Sequence, residues 1–287
     1  MTMTSWRESW ALFSGRSDCD QYLGRPARLS GSTVTSISAV LPAFNEEELI
    51  GATAEAMAET LASLSDDYEV IVVNDGSRDR TREVVDALSA TNSHVRCVSH
   101  AINRGYGDAL KTGFSAAAKD LIFFTDGDRQ FDVSEISRFI PEIDQADMVI
   151  GYRSPRRDPA IRLVYAWGWR LLVTILFGYT ARDIDCAFKL FRKAVWQRVQ
   201  VHSGVATFSA EFLVKARRCG FRIVELPVRH LPRTAGRPTG GNPRVILRAF
   251  RDIIKLRLRL DPCPQNIGAG PEHSKVNPVD HGHSRVS

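Results

Sequence analysis

The sequence predicts an α/β fold: a doubly wound, mostly parallel sheet with helices on both faces. Two observations support this. Between 37 and 125, short apolar segments rich in β-branched residues alternate with segments of helical periodicity, and strands that read as continuous apolar runs are typical of parallel sheets covered on both faces. The length of 287 residues allows such a domain to bury a substantial core.

The predicted elements follow a regular order as far as residue 125. Strands are expected at 37–43, 69–73, 95–98 and 121–125, and helices at 46–64, at 81–88 and in the segment that ends at 118. The pattern then loosens into a helix at 134–143, a strand at 147–150, a helix at 209–219 and a strand at 221–228. Together these elements form a predicted domain over 36–241.

Segment 163–180 is apolar but is not expected to cross a membrane. Its 18 residues are interrupted by Gly168, Arg170 and Gly178. A span needs about 20 apolar residues, and a central arginine costs about 2.5–3.5 kcal/mol on insertion scales. We therefore expect a half-buried helix against the domain or the bilayer interface. The flanks are expected to be a weakly structured extension without a signal peptide (1–35) and a disordered polar tail (261–287).

The net charge of +5 is concentrated in segment 242–260. Six arginine or lysine residues there stand against Asp252, and most of them recur at intervals of three and four, with apolar residues on much of the opposite face. This pattern predicts a basic amphipathic helix on a membrane surface. A solvated helix face, or a helix docked on the rest of the domain or on a second subunit, is the alternative.

The number and spacing of the cysteines indicate the redox state of the cellular compartment. The five cysteines are odd in number, widely scattered and not spaced as metal-binding or redox pairs. A reducing cytoplasm is the simplest inference from that usage.

Polar side chains begin abruptly where three of the predicted strands end. In a doubly wound sheet these ends lie at one edge, and ligands bind there. We therefore expect one crevice to bring together Pro42, Phe44, Asn45, Glu46, Asn74, Asp75, Ser77, Asp79, Asp126, Asp128, Gln130 and Asp132.

The loop after residue 125 predicts a metal site within this crevice. Asp126 and Asp128 flank Gly127, and Gln130 offers a further oxygen donor. Several carboxylates in one crevice repel each other unless a cation is bound. Oxygen ligands of this kind suit Mg²⁺ or Mn²⁺, which bind through one or two carboxylates and substrate phosphates.

Seven motifs, in order and spacing, resemble the family 2 glycosyltransferases of GT-A fold. More narrowly, they are similar to the polyprenyl-phosphate sugar transferases, the group that contains dolichyl-phosphate mannose synthase. The motifs are AVLPAFNE (39–46), VVNDGSRD (72–79), NRGYGDA (103–109), TDGDRQFD (125–132), DMVIGYR (147–153), DIDCAFKLF (183–191) and ELPVRHLPR (225–233). The chain departs from the family pattern at Asn74 and Ala187, where aspartate and glycine are usual. Many relatives also continue into membrane-spanning helices, whereas none is expected in this sequence, so we expect any membrane contact to be peripheral.

The resemblance implies roles for individual residues. For the nucleotide sugar it implies contacts from Pro42, Phe44, Glu46, Asp75, Asp126, Gly127, Asp128, Arg153 and Arg162. For the metal it implies Asp126, Asp128 and Gln130. For catalysis and the acceptor it implies Asp128, Asp183, Asp185 and Arg233. Guanidinium groups at 153, 162 and 233 would face the diphosphate or the lipid phosphate.

The activity that the resemblance implies is inverting transfer of a hexose, of mannose or glucose type, from a GDP- or UDP-linked sugar to a polyprenyl (dolichyl, undecaprenyl or decaprenyl) phosphate at the cytoplasmic face of a membrane. An anionic acceptor needs no strong general base, whereas a hydroxyl would need a carboxylate such as Asp183 or Asp185. Transfer to a hydroxyl of a soluble or polysaccharide acceptor is the first alternative. A noncatalytic nucleotide- or nucleic-acid-binding module is the second, and the acidic crevice disfavours nucleic acid. Partners are thus a nucleotide sugar, a polyprenyl phosphate, the membrane and, through a docked 243–260, a second copy of the chain.

Overall fold

The computed structural model describes residues 36–155, 160–203, 207–232, 243–260 and 263; for 160–162 and 243–248 it describes the backbone alone. The strands are β1 (Ile37–Ala43), β2 (Tyr68–Asn74), β3 (Val95–Ser99), β4 (Leu121–Thr125), β5 (Met148–Arg153), β6 (Phe188–Arg192) and β7 (Ile223–Val228). The helices are α1 (Ile50–Ala62), α2 (Thr81–Thr91), α3 (Tyr106–Ala116), α4 (Ala160–Phe177), α5 (Lys193–Arg198), α6 (Phe208–Arg218) and α7 (Pro243–Arg259).

One mixed sheet carries all seven described strands, in the order β3-β2-β1-β4-β6-β5-β7. Neighbours are parallel except β6, which runs antiparallel to both β4 and β5. The carboxyl ends of β1, β2, β3, β4, β5 and β7 therefore lie at the same edge as the amino end of β6. Loops from all seven described strands converge there, which confirms the predicted mostly parallel α/β fold.

The sheet is buried because its strands are apolar on both faces. Every residue of β1 and β4 is buried, as expected for strands covered by helices on each side. Helix α3 lies close to the sheet at Gly113, where a Cβ would come within 2.3 Å of Val40 Cγ1. A side chain at this position would therefore push the helix away from β1. Phe114, the next residue, packs edge-on against Phe191 and Trp196 in the core.

Two parts of the sequence prediction need correction. The single helix predicted at 134–143 is two short 3-10 helices, Val133–Arg138 and Pro141–Asp144. Pro141 explains the break, because proline has no N–H to donate and restricts the residue before it. The prediction also lacked β6 and α5. β6 is the antiparallel strand that links the two parallel parts of the sheet.

Helix α4 confirms the half-buried helix expected at 163–180. Trp169 and Val173 are buried, while Val164, Trp167 and Ile175 are exposed. None of the helices within the described residues is long and apolar enough to cross a membrane.

Helix α7 is present where the charge pattern predicted it, and part of its apolar face docks on the domain. Ala249 and Ile253 are buried, and Phe250 meets Trp169 of α4 edge-on. Ile254 and Leu258 remain exposed, at 50% and 82%. The apolar face expected to rest on a membrane is thus divided between the protein interior and the surface.

Cys219 and Cys263 form a disulfide, with Cα atoms 5.3 Å apart and a separation of 44 positions in sequence. Cys219 ends α6 and Cys263 follows α7, so the bond ties the ends of these helices together. This pairing differs from the free thiols that a reducing compartment predicts. Sequence spacing could not reveal it, because only the fold brings two such distant cysteines together.

Candidate active site

The loop after β1 forms one wall of the crevice at the converging edge. Pro42 is buried and Phe44 is 38% exposed. Asn45 adopts a left-handed backbone (φ 55°), and its main-chain N–H donates to Ser77 Oγ at 3.0 Å. The side chain of Asn45 accepts from the N–H of Arg78 at 2.9 Å. These bonds join the loops after β1 and β2.

Several of the predicted crevice residues brace loops instead of facing a ligand. Asp79 accepts from the N–H groups of Thr81 and Glu47, and Asp132 caps a 3-10 helix by accepting from the N–H of Ser134. The short polar loops need these acceptors because their main-chain N–H groups have no strand or helix partner. The observed bonds of these two carboxylates are therefore to the loops themselves.

Asp75 is buried and holds the loop before α3. Its two carboxylate oxygens accept from the N–H groups of Arg104 (2.9 Å) and Gly105 (2.8 Å). His100 Nδ1 lies 2.7 Å from the same carboxylate, and its Nε2 lies 2.9 Å from Thr112 Oγ1. Asp75 is thus within the crevice wall, where its observed bonds fix the position of Tyr106.

Asp126 and Asp128 lie together after β4, as predicted. Asp128 is buried, and its Oδ1 accepts from the N–H of Gln130 at 3.1 Å. Between them, Gly127 packs against α1: its carbonyl accepts from Thr53 Oγ1, and a Cβ would meet Ile50 Cδ1 at 2.9 Å. Gly127 therefore anchors the loop to α1, leaving the two carboxylates at the crevice.

The environment of Asp126 suits a bound cation. Its Oδ1 is buried without a hydrogen-bond partner among the described residues. Burial and the neighbouring charge of Asp128 raise the pKa of Asp126 from 3.8 to about 7, against the opposing effects of Tyr106, Lys189 and Arg153. A bound divalent cation would remove this penalty.

The residues present fit such a cation. The described residues hold no group of three His, Cys, Asp or Glu side chains suited to a metal. Two carboxylates are nevertheless sufficient where a diphosphate supplies further oxygens. Gln130, the third predicted ligand, directs its Nε2 towards Leu231 O (3.4 Å) and His230 Nε2 (3.3 Å). His230, just after β7, thus contacts the loop that carries Asp126, Asp128 and Gln130.

The part of the crevice at the end of β5 contains a buried ion pair. Arg153, at the end of β5, donates from Nε and Nη2 to the two oxygens of Asp183 at 2.7 and 2.8 Å. Both side chains are largely buried. Asp185 is exposed, and its charge acts on Tyr106 and Lys189. The structure therefore brings β4, β5 and the 183–187 turn to one site.

The structure does not describe the side chains of two arginines that were predicted to belong to the site. Arg162 lies in the first turn of α4, where only the backbone is described, and Arg233 lies outside the described residues.

Sequence reasoning missed three residues of the site: Tyr106, Lys189 and His230. Tyr106 lies beside Asp126 although it is 39% exposed, and burial of its hydroxyl together with the charge of Asp126 raises the pKa of Tyr106 well above the ordinary value. Each of the three stands inside a quoted motif. Their place within these motifs was the only indication that the sequence offered. Neither their charge nor their spacing distinguished them from core residues.

Comparison with known proteins identifies the family. The model of glycosyl transferase family 2 matches residues 38–199, more than half of the chain. The chain belongs to glycosyltransferase family 2. Membership confirms the family resemblance and the GT-A fold, and it favours catalysis over a noncatalytic binding module.

This family 2 glycosyltransferase is similar to two curated proteins. It is 32% identical over 246 residues to glycosyltransferase AglD of Haloferax volcanii, matching 81% of this chain and 38% of AglD. It is 29% identical over 239 residues to dodecaprenyl-phosphate galacturonate synthase of Rhizobium johnstonii, matching 80% of this chain and 69% of that protein. The chain thus spans little more than a third of AglD.

Solved structures resemble the family 2 glycosyltransferase in fold. Glucosyl-3-phosphoglycerate synthase of Mycobacterium tuberculosis, in complex with Mn²⁺, uridine diphosphate and phosphoglyceric acid, superposes with a TM-score of 0.61 at 19% identity, covering 78% of each chain. Its complex with Mn²⁺, uridine-diphosphate-glucose and phosphoglyceric acid gives 0.62 at 18% identity, covering 82% of this chain and 86% of that one. At these identities the comparison establishes the fold.

Proposed function

We propose that this glycosyltransferase moves a hexose from a GDP- or UDP-linked sugar to a polyprenyl phosphate, with inversion at the anomeric carbon. The observation that carries the proposal is the juxtaposition, at one sheet edge, of the Asp126–Asp128 pair and the Arg153 guanidinium. The first suits a metal–diphosphate group and the second an anionic acceptor. The similarity to a dodecaprenyl-phosphate galacturonate synthase supports a lipid phosphate acceptor and adds uronates to the sugars worth testing.

Asp126, Asp128 and Gln130 would hold Mg²⁺ or Mn²⁺. The metal would supply electrostatic stabilisation of the departing nucleoside diphosphate. Tyr106 lies beside the Asp126 carboxylate and would form part of the wall around the metal. Pro42, Phe44 and Glu46 would line the base pocket, and Asp75 would support the ribose side by holding the loop that leads to Tyr106.

The state of Asp183 favours a phosphate acceptor over a hydroxyl. A general base must reach the proton that it removes. Asp183 instead forms a two-point ion pair with Arg153, which neutralises the carboxylate and orients the guanidinium. A lipid phosphate is already anionic, so a cation is useful and a base is unnecessary. Asp185 is the remaining candidate base for the alternative hydroxyl acceptor, and Arg162 and Arg233 are proposed as further phosphate contacts.

The membrane would supply the lipid acceptor at its cytoplasmic face. Exposed basic side chains on α7, including Arg251, Lys255 and Arg259, suit an anionic surface. The exposed apolar residues of α4, which packs against α7, extend the surface that could meet the lipid. Contact between two copies through the same helices is the competing use of this surface.

A transfer assay tests the proposed function. Purified protein is incubated with GDP- and UDP-linked hexoses and hexuronates, a short polyprenyl phosphate and Mg²⁺ or Mn²⁺, and glycolipid formation is measured. We expect Asp128→Asn to lower the rate by about 10²–10³-fold, the scale of losing an electrostatic contact in the transition state. Asp132→Asn, in the same loop, should retain most activity because Asp132 caps a 3-10 helix.

The same assay separates the acceptor classes. With a phosphate acceptor, Asp185→Asn should lower the rate only moderately. A loss of several orders of magnitude at Asp185, together with transfer to a free hydroxyl, would favour the alternative acceptor. Undiminished transfer by Asp128→Asn or in excess chelator would contradict the metal assignment.

A further inference from the structure

A fully buried lysine lies beneath the acceptor side of the crevice. Lys189 is in the middle of β6, is 1% exposed and stands between Phe124 of β4 and Ile150 of β5. Its neighbours in the strand, Phe188 and Leu190, are buried and apolar. Lysine is almost never fully buried unless it is paired, because an uncompensated buried charge is costly. The contacts of the ammonium group should therefore indicate its role.

Those contacts are with the turn that precedes β6. Lys189 Nζ donates to the carbonyl of Ile184 at 3.2 Å and to the carbonyl of Cys186. It also lies 5.3 Å from the centre of the Phe124 ring, a cation–π distance. The two carbonyls alternate with Asp183 and Asp185 along the chain. The ammonium thus holds the inner side of the turn that presents both carboxylates.

The electrostatic surroundings agree with this arrangement. Burial lowers the pKa of Lys189, and the negative groups above it, Asp183, Asp185 and Asp126, raise it. A buried cation under several carboxylates receives part of its compensation from them, so the turn and the lysine stabilise each other. Methionine has a similar length and could fill the volume, but it could not bond the two carbonyls.

We infer that Lys189 is a positioning residue for the acceptor side of the site: it fixes the 183–187 turn and, through Asp183, the orientation of the Arg153 guanidinium. The inference rests on the proposed function only in assigning Arg153 to the acceptor phosphate. The chain of contacts is direct, because Nζ bonds the turn and Asp183 in that turn forms a two-point pair with Arg153. Lys189 touches no substrate in this arrangement.

Two measurements test the inference on the full chain. In steady-state assays, Lys189→Met should lower kcat/KM for the polyprenyl phosphate by about tenfold or more, as expected for a misplaced binding group. Binding of UDP or GDP with Mn²⁺, measured at a pH where Asp126 is ionised, should change much less than kcat/KM for the lipid, because β4 and α1 hold Asp126 and Asp128 in place. Amide hydrogen exchange of 184–187 should become faster in the same variant.

Matched controls separate positioning from a general loss of stability. Leu190→Ala removes a buried side chain from the adjacent position of β6 and leaves the ammonium in place. Lys193→Met removes a lysine that also donates to a main-chain carbonyl, that of Ala118 at 3.3 Å. Each control should change kcat/KM for the polyprenyl phosphate and the affinity for the nucleotide by a similar factor. If Lys189→Met does not fold, Lys189→Gln replaces it and should show the acceptor defect, because the glutamine amide nitrogen lies one bond short of the Nζ position.

Equal losses on the acceptor and donor sides, or a profile matching Leu190→Ala at the same loss of thermal stability, would overturn the inference. Unchanged exchange of 184–187 in a folded Lys189 variant would also overturn it. If the wild-type protein glycosylates no polyprenyl phosphate, the proposed function fails. In that case the exchange measurement and the nucleotide titration still decide whether Lys189 fixes the turn.

Discussion

At the scale of single residues, the site is organised by the charge of its carboxylates. Asp183 is compensated by Arg153 within the protein. Asp126 lacks an equivalent partner, and burial together with Asp128 raises its pKa to about 7. The protein thus neutralises one carboxylate internally and leaves the other in need of a cation. This difference separates the proposed acceptor side from the proposed metal side.

The raised pKa of Asp126 predicts how metal-free stability depends on pH. The unfolded chain releases this proton near 3.8, whereas the folded chain retains it up to about 7. Between these values the folded state binds more protons, so the contribution of Asp126 to stability falls as pH rises through that window. In chelator, we expect the thermal midpoint of Asp126→Asn to rise relative to the wild type between pH 4 and pH 7.

Thermal unfolding at several pH values checks this expectation. Mn²⁺ with a nucleoside diphosphate should reverse the difference, because the metal binds the ionised carboxylate. A difference between Asp126→Asn and wild type that is constant over the whole range would contradict the assigned environment of Asp126.

The sequence identified site residues that directly follow apolar strands. It did not identify site residues that lie within a strand or have no distinctive neighbours. Asp126 and Asp128 could be found because carboxylates directly after an apolar strand are rarely required by a core. Lys189 could not, because a single lysine in an apolar strand usually predicts an edge or an exposed face. Its burial depends on carbonyls of a turn whose course is determined by the sheet, which one sequence without a fold cannot supply.

At the scale of elements, dependence on the rest of the fold also explains why β6 was not predicted from the sequence. β1 and β4 were predicted with their observed ends because both are continuous apolar runs bounded by polar loops. β6 includes Lys189 among its apolar residues and leads directly into α5, with no polar loop between them. Such a segment has no clear period of its own. It becomes a strand because β4 and β5 offer it hydrogen bonds on both sides.

The disulfide between the ends of α6 and α7 makes an element-scale prediction. Reduction should lower the free energy of unfolding by about 2–4 kcal/mol, the usual range for a bond that closes a loop of this size. Denatured, nonreduced protein should have two fewer titratable thiols than reduced protein. Cys219→Ser should lower the thermal midpoint as reduction does, and Cys97→Ser, at a free cysteine, should not. Equal thiol counts before and after reduction would contradict the pairing and restore the expectation of a reducing compartment.

At the scale of the whole molecule, one surface stands out by its composition. Helix α4 leaves Val164, Trp167, Leu171 and Ile175 exposed at intervals of three and four, which places them on one face. The neighbouring α7 adds Ile254 and Leu258. Tryptophan and exposed aliphatic side chains beside basic residues are typical of helices at a membrane interface. The loops at either end of α4 lead to Arg153 and Asp183, so this surface adjoins the proposed acceptor side in sequence.

Binding to lipid vesicles tests the role of this surface. We expect the protein to float with vesicles containing anionic lipid at low salt, less with neutral vesicles, and less again at high salt. Reversal of Arg251, Lys255 and Arg259 to Glu should lower partition by on the order of 100-fold or more, since each basic residue near an anionic surface contributes about 1 kcal/mol. Trp167→Ala should weaken binding to both kinds of vesicle. Reversal of Arg78, Arg80 and Arg82, next to and within α2 near the opposite edge strand β3, serves as the matched control and should have little effect. If vesicles bind no protein at low salt while Trp167→Ala or the α7 reversals convert a dimer to a monomer, the surface is an interface between two copies and the membrane proposal is wrong.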